Sequence, residues 1–69
     1  MYKVGDIVWC KVKDKYPITD YHVKCIVCDI REFEYGYITV APIMRGYICN
    51  MYRVEAKYFE LVPANAKVV

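Results

Sequence analysis

Four cysteines, Cys10, Cys25, Cys28 and Cys49, and one histidine, His22, are the residues of this chain best equipped for metal or nucleophile chemistry. Zinc takes about four thiolate or imidazole ligands at tetrahedral positions, and Cys25-Ile26-Val27-Cys28 offers a C-x-x-C spacing with His22 three residues before it. Zinc knuckles, however, need a tight turn between such ligands, and Ile26-Val27 is a strand-forming pair. On a regular strand, positions three apart point to opposite faces. Cys10 and Cys49 each stand alone in the sequence. The four thiols therefore read as small buried hydrophobes, with no metal ligation expected. A redox role for the pair needs a helix N-terminus, and no βαβ context supplies one.

Other catalytic sets are equally incomplete. His22 lacks a plausible nucleophile, because the chain has no serine and only Thr19 and Thr39 as aliphatic hydroxyls. Glu32 and Glu34 flank Phe33 beside a turn and read as solubilising carboxylates. Three separated glycines, Gly5, Gly36 and Gly46, make no phosphate-binding loop. No enzyme activity and no cofactor are expected.

A surface of aromatic and cationic groups is the stronger signal. In GDIVWCKVK, strand alternation places Val8, Cys10 and Val12 on one face. Ile7, Trp9, Lys11 and Lys13 fall on the other. Lys15 and Tyr16 follow in the next loop, and Tyr35, Tyr37, Tyr47 and Tyr52 add aromatic tips from other hairpins. Bases could stack on these rings while lysines hold phosphates. Alternatively, Trp9 and the tyrosines anchor a protein partner, with Arg31, Arg45 and Arg53 at its rim. Tyrosines can also simply cover a small core with their hydroxyls in water, but eight of them exceed what a thin core absorbs.

The elements that must position these groups are short strands. Residues 6–13 form the first, introduced by Gly5-Asp6. Residues 14–20 are polar, contain Pro17 and read as a loop. Residues 21–34 are rich in Val, Ile and Cys and lack helix caps, which predicts one long strand. Its middle is apolar on both faces, with Val23, Cys25 and Val27 against Ile26, Cys28 and Ile30, as in a strand that bends to serve two sheets. A turn follows at Glu34-Tyr35-Gly36. Residues 37–41 make a third strand, which Pro42 ends or edges. Met44-Arg45-Gly46 turns the chain into a fourth strand, residues 47–54. Residues 55–58 give one helical or 3₁₀ turn, residues 59–62 a closing strand, and residues 64–69 a frayed tail. The expectation is an all-β, five-stranded SH3-like barrel over residues 1–63, with one short helical turn before the last strand. An OB-fold would need a helix between strands three and four, and there is no room for it.

The opening KVGDIVWCKVKDKYP, residues 3–17, resembles that of Tudor-, chromo- and PWWP-type domains, and VEAKYFELVP, residues 54–63, is similar to the way SH3-like modules close. The PWWP resemblance implies an aromatic cage for methylated lysine, to which Tyr16 and Pro17 correspond loosely. Ile18-Thr19-Asp20 stand where its second aromatic would be, so one wall of the cage is missing. GDIVW is also similar to the start of SH3-like ribonuclease toxins, which are usually longer.

Hydrophobic residues make up 58% of the 69, so the chain has the means to fold. A net charge of +2 is small for a non-specific nucleic-acid binder, since Asp6, Asp14, Asp20 and Asp29 are interspersed with the lysines. This favours a protein partner over nucleic acid. No signal pattern and no membrane span are read, so a cytoplasmic protein with reduced thiols is expected. In size and in lacking a catalytic kit, the chain looks like the compact accessory or inhibitor proteins that bacteriophages encode. A monomer, or a dimer paired through an exposed edge strand, is expected.

Overall fold

A computed structural model describes residues 2–16, 23–44, 47–48 and 50–63, with backbone alone at 47–48. The expected loop residues Pro17 to Asp20, His22, the Arg45-Gly46 turn, Cys49 and the 64–69 tail lie outside the described residues. Six paired stretches form one antiparallel sheet: β1 (Ile7–Cys10), β2 (Cys25–Asp29), β3 (Tyr37–Met44), β4 (Tyr47–Ile48), β5 (Tyr52–Glu55) and β6 (Phe59–Leu61). Both β4 and β5 pair with β3, so the chain follows a five-strand, barrel-like course. Across the sheet the path is β6, β1, β2, β3, with β4 and β5 along the far side of β3. A 3₁₀ turn, Ala56–Tyr58, joins β5 to β6, as the sequence predicts.

Alternation within the strands explains the core. Val8 and Cys10 of β1, Cys25 and Val27 of β2, Ile38 and Val40 of β3, Val54 of β5 and Phe59 of β6 are buried together. Phe59 is the one large aromatic in that set. Tyr2, Tyr16, Phe33, Tyr52 and Tyr58 pack around it half-buried.

Several boundaries differ from expectation. The first strand stops at Cys10, so Lys13 stands in a turn and Val12, expected in the core, is 39% exposed. The long second strand is reduced to five residues. Its register shifts between Val27 and Asp29, which is the bend that the two-sided apolar pattern implied. Beyond Ile30 the chain turns into a first 3₁₀ turn, Phe33–Tyr35, closed by Gly36 at φ 92°, a conformation that glycine adopts without steric cost.

Of the two expectations for Pro42, an end or an edge of the third strand, the first does not hold, since the strand runs through it to Met44. Ile43 donates its N–H to Lys24 of the β2 side at 2.9 Å, so the ring nitrogen of Pro42 faces the opposite side. There, three residues from Ile48 to Tyr52 stand against two from Ile43 to Val40, and the ladder slips by one. A proline without an N–H is tolerated at such an interruption. The same slip divides the expected fourth strand into β4 and β5.

Candidate functional site: a groove beside the closing strand

β6 lies at an edge of the sheet, and its register with β1 fixes which backbone groups face outward. Val8 stands opposite Leu61, Trp9 opposite Glu60 and Cys10 opposite Phe59. Lys11 N–H donates to the Tyr58 carbonyl at 2.8 Å and Val62 N–H to the Ile7 carbonyl at 3.0 Å. In an antiparallel ladder these bonds direct the backbone of Tyr58, Glu60 and Val62 toward β1, and that of Phe59 and Leu61 away from it. Phe59 N–H returns to the Ala56 carbonyl, and the Phe59 carbonyl accepts from the Tyr2 hydroxyl at 2.7 Å. Leu61 N–H and C=O meet no partner among the described residues.

Tyrosines thus replace missing strand partners at the seam of the barrel. Tyr2 covers the β6 edge. Tyr16 covers the β5 edge, where Glu55 N–H donates to its hydroxyl at 3.0 Å. The Tyr16 ring also packs on Phe59 and Tyr58, at centroid distances of 5.9 and 6.2 Å. Burial raises the Tyr2 phenol above its ordinary pKa of 10.0, and the carboxylates of Glu60 and Asp6 add to this. The folded chain therefore holds the Tyr2 proton more tightly than the unfolded chain does. Stability from this source is complete below the ordinary tyrosine value and is lost as pH rises through the folded value. Urea denaturation at about pH 8 and about pH 11 is expected to show a decline that Tyr2→Phe reduces, alongside a loss of about 1 kcal/mol at the lower pH from the missing hydrogen bond.

Tyr2 and Phe33, edge to face at 6.0 Å, line an open groove of about 600 Å³. Leu61, Phe59 and Ala56 complete its apolar lining, with Lys57 and Glu60 supplying polar groups. Leu61 is 53% exposed although it stands on the same strand face as buried Phe59, because it lines the groove instead of the core. Past Gly36 and Lys57 lies a smaller hollow of about 180 Å³ between Tyr35, Tyr37 and Glu55. Comparison with protein-family models, with curated proteins and with solved structures gives no match to this chain.

The residues singled out from sequence are dispersed around this groove. Trp9 lies outside the core and half-buried on the outer face of β1, and its indole N–H donates to Glu60 Oε2 at 2.8 Å. Lys11, Lys13 and Lys15 are exposed. Lys15 Nζ lies 4.6 Å from the centroid of the Tyr58 ring, and Lys57 Nζ lies 5.2 Å from it. Tyr35 is 71% exposed. Tyr37 carries the Arg53 guanidinium on its face at 3.7 Å, and Tyr52 packs against the core. The backbone of Tyr47 is placed in β4, and its side chain lies outside the described residues.

Charges are sorted by type. Arg53 pairs with Glu32 at 3.0 Å and Arg31 with Asp29 at 2.6 Å. The Arg31 side chain and backbone N–H hold the Asp29 carboxyl below the ordinary carboxylate range. Lys11, Lys15 and Lys57 have no ion pair among the described residues.

The thiols of Cys10, Cys25 and Cys28 each donate to a backbone carbonyl two residues away. Among the described residues, no three His, Cys, Asp or Glu side chains gather as a metal would require. No helix among them is long and apolar enough to cross a membrane. Sequence reasoning missed Tyr2, Phe33, Lys57, Tyr58 and Leu61. The parity of Phe59 and Leu61 was a usable signal. The folding of Phe33 and Tyr2 against each other across the chain was not.

Proposed function

We propose that this protein is a non-catalytic interaction module whose partner is another protein. The single observation that carries this reading is the apolar groove beside β6, bordered by an exposed leucine whose backbone N–H and C=O meet no partner among the described residues. Such a concavity suits side chains of a polypeptide. The resemblance of residues 3–17 and 54–63 to SH3-like modules supports a binding role, and an accessory or inhibitor protein such as phages encode is one form that role takes.

Nucleic acid is the second reading, favoured by Lys15 and Lys57 at the Tyr58 ring, with no ion pair to a carboxylate among the described residues. Stacking platforms weigh against it: the Trp9 indole is tied to Glu60, Tyr16 is packed at the seam, and Arg53 covers Tyr37. The test is a pull-down from nuclease-treated lysate with the wild type and Leu61→Glu, a change at an exposed position. A protein retained by the first and lost by the second is expected. Retention that vanishes with nuclease, together with oligonucleotide binding that weakens steeply with salt, would transfer the assignment to nucleic acid.

A further inference from the structure

Resting on the protein-binding reading, we infer that the groove takes an extended acidic segment of the partner, with apolar side chains in the groove and carboxylates on Lys57 and Lys15. Three observations converge on that chemistry. The groove walls, Tyr2, Phe33 and Leu61, select apolar side chains. The outward N–H and C=O of Leu61 are spaced to pair with one residue of an extended chain, which would then present alternate side chains to the groove. At the Lys57 end two ammonium groups come together: Lys57 lines the groove beside Glu60 and the neighbouring hollow beside Glu55, and Lys15 shares the Tyr58 ring with it.

Neither carboxylate that shares these linings forms an ion pair with a lysine among the described residues: Glu60 accepts the Trp9 indole N–H, and Glu55 lines the hollow beside Lys57. Arg31 and Arg53, by contrast, are already matched to Asp29 and Glu32. Complementary charge at the groove end would therefore come from the ligand, where it sets register and opposes a basic partner. Tyr2 and the Ala56–Tyr58 turn satisfy the Phe59 end of the edge, so pairing is confined to Leu61. The contact is expected to be short and side-chain-driven, not a full added strand.

The experiment uses a synthetic peptide with leucines at alternate positions followed by a run of glutamates. Its controls are the same peptide with lysines in place of the glutamates and a single-stranded oligothymidylate. Binding is followed by calorimetry, and by amide NMR with Leu61 as reporter. At low salt the glutamate peptide is expected to bind at least about tenfold more tightly than the lysine peptide, to shift the Leu61 amide and to slow its exchange. The double variant Lys15→Glu with Lys57→Glu, both exposed positions, should reverse the order of the two peptides. Equal binding of both peptides with shifts at Leu61 would overturn the acidic specificity and leave the groove reading standing. Peptides that leave Leu61, Phe33 and Tyr2 unshifted would overturn both. Oligothymidylate displacing the glutamate peptide from Lys15 and Lys57 would assign the cationic end to nucleic acid and end the proposal.

Discussion

Phe59→Ala is expected to leave the chain largely unfolded at room temperature. Phe59 is 2% exposed and is the only large aromatic among the buried core residues described. Every other member of that cluster is a valine, isoleucine, alanine or cysteine. Truncating a buried phenylalanine costs about 3–5 kcal/mol, through lost transfer energy and the cavity left behind. A domain of 69 residues has about 3–10 kcal/mol in total, at the usual stability per residue. Relaxation is also restricted here, because the ring contacts Tyr16, whose hydroxyl is anchored on Glu55 N–H across the seam. Losing Phe59 therefore loosens Tyr16 and frees the β5 edge as well. Far-ultraviolet circular dichroism and urea denaturation check this directly. A folded Phe59→Ala with a urea midpoint near that of the wild type would show that the core does not depend on this residue. Phe59→Leu should remain folded with reduced stability, which separates loss of volume from loss of fold.

What the sequence made legible is local. The strand types, the turn at Gly36 and the 3₁₀ turn before the closing strand follow from β-branched runs and one glycine. The Val23-to-Ile30 pattern signalled a bend, and the register shift after Val27 is that bend. What escaped depends on which backbone groups face which neighbour. Pro42 read as an end or an edge of its strand, because nothing in its surroundings disclosed that its nitrogen meets a slipped register. Tyr16 looked like a loop aromatic available to a ligand, yet its hydroxyl serves Glu55 N–H, 39 residues away. The groove was invisible for the same reason: Tyr2 and Leu61 lie at opposite ends of the sequence, and only closure of the sheet places them on one hollow. Lysines 11, 13 and 15 were recognisable as a cationic run, but Lys57 and Tyr58 joined them through pairing of β1 with the segment entering β6.

Trp9→Ala is expected to lower stability by about 2 kcal/mol, because the ring is half-buried and both its packing and its hydrogen bond to a carboxylate are lost. The sequence alone presented Trp9 as an anchor for a partner, and its outward face agrees with that placement. Its indole N–H, however, already serves Glu60, the residue paired with it across the β1–β6 ladder. Cross-strand pairs of this kind fasten an edge strand, so part of the tryptophan's effect falls on β6 and hence on the groove. Trp9→Phe keeps most of the ring and removes the donor, and Glu60→Ala removes the acceptor. Together in a double-mutant cycle they should show a coupling of about 1 kcal/mol or more. Chemical denaturation measures each corner, and calorimetry with the glutamate peptide measures binding on the same variants. A variant that keeps full stability yet loses the peptide would make Trp9 a direct contact and not a fastener. Loss of both in proportion would place its effect on the closing strand, with Leu61 and the groove responding to how firmly β6 is held.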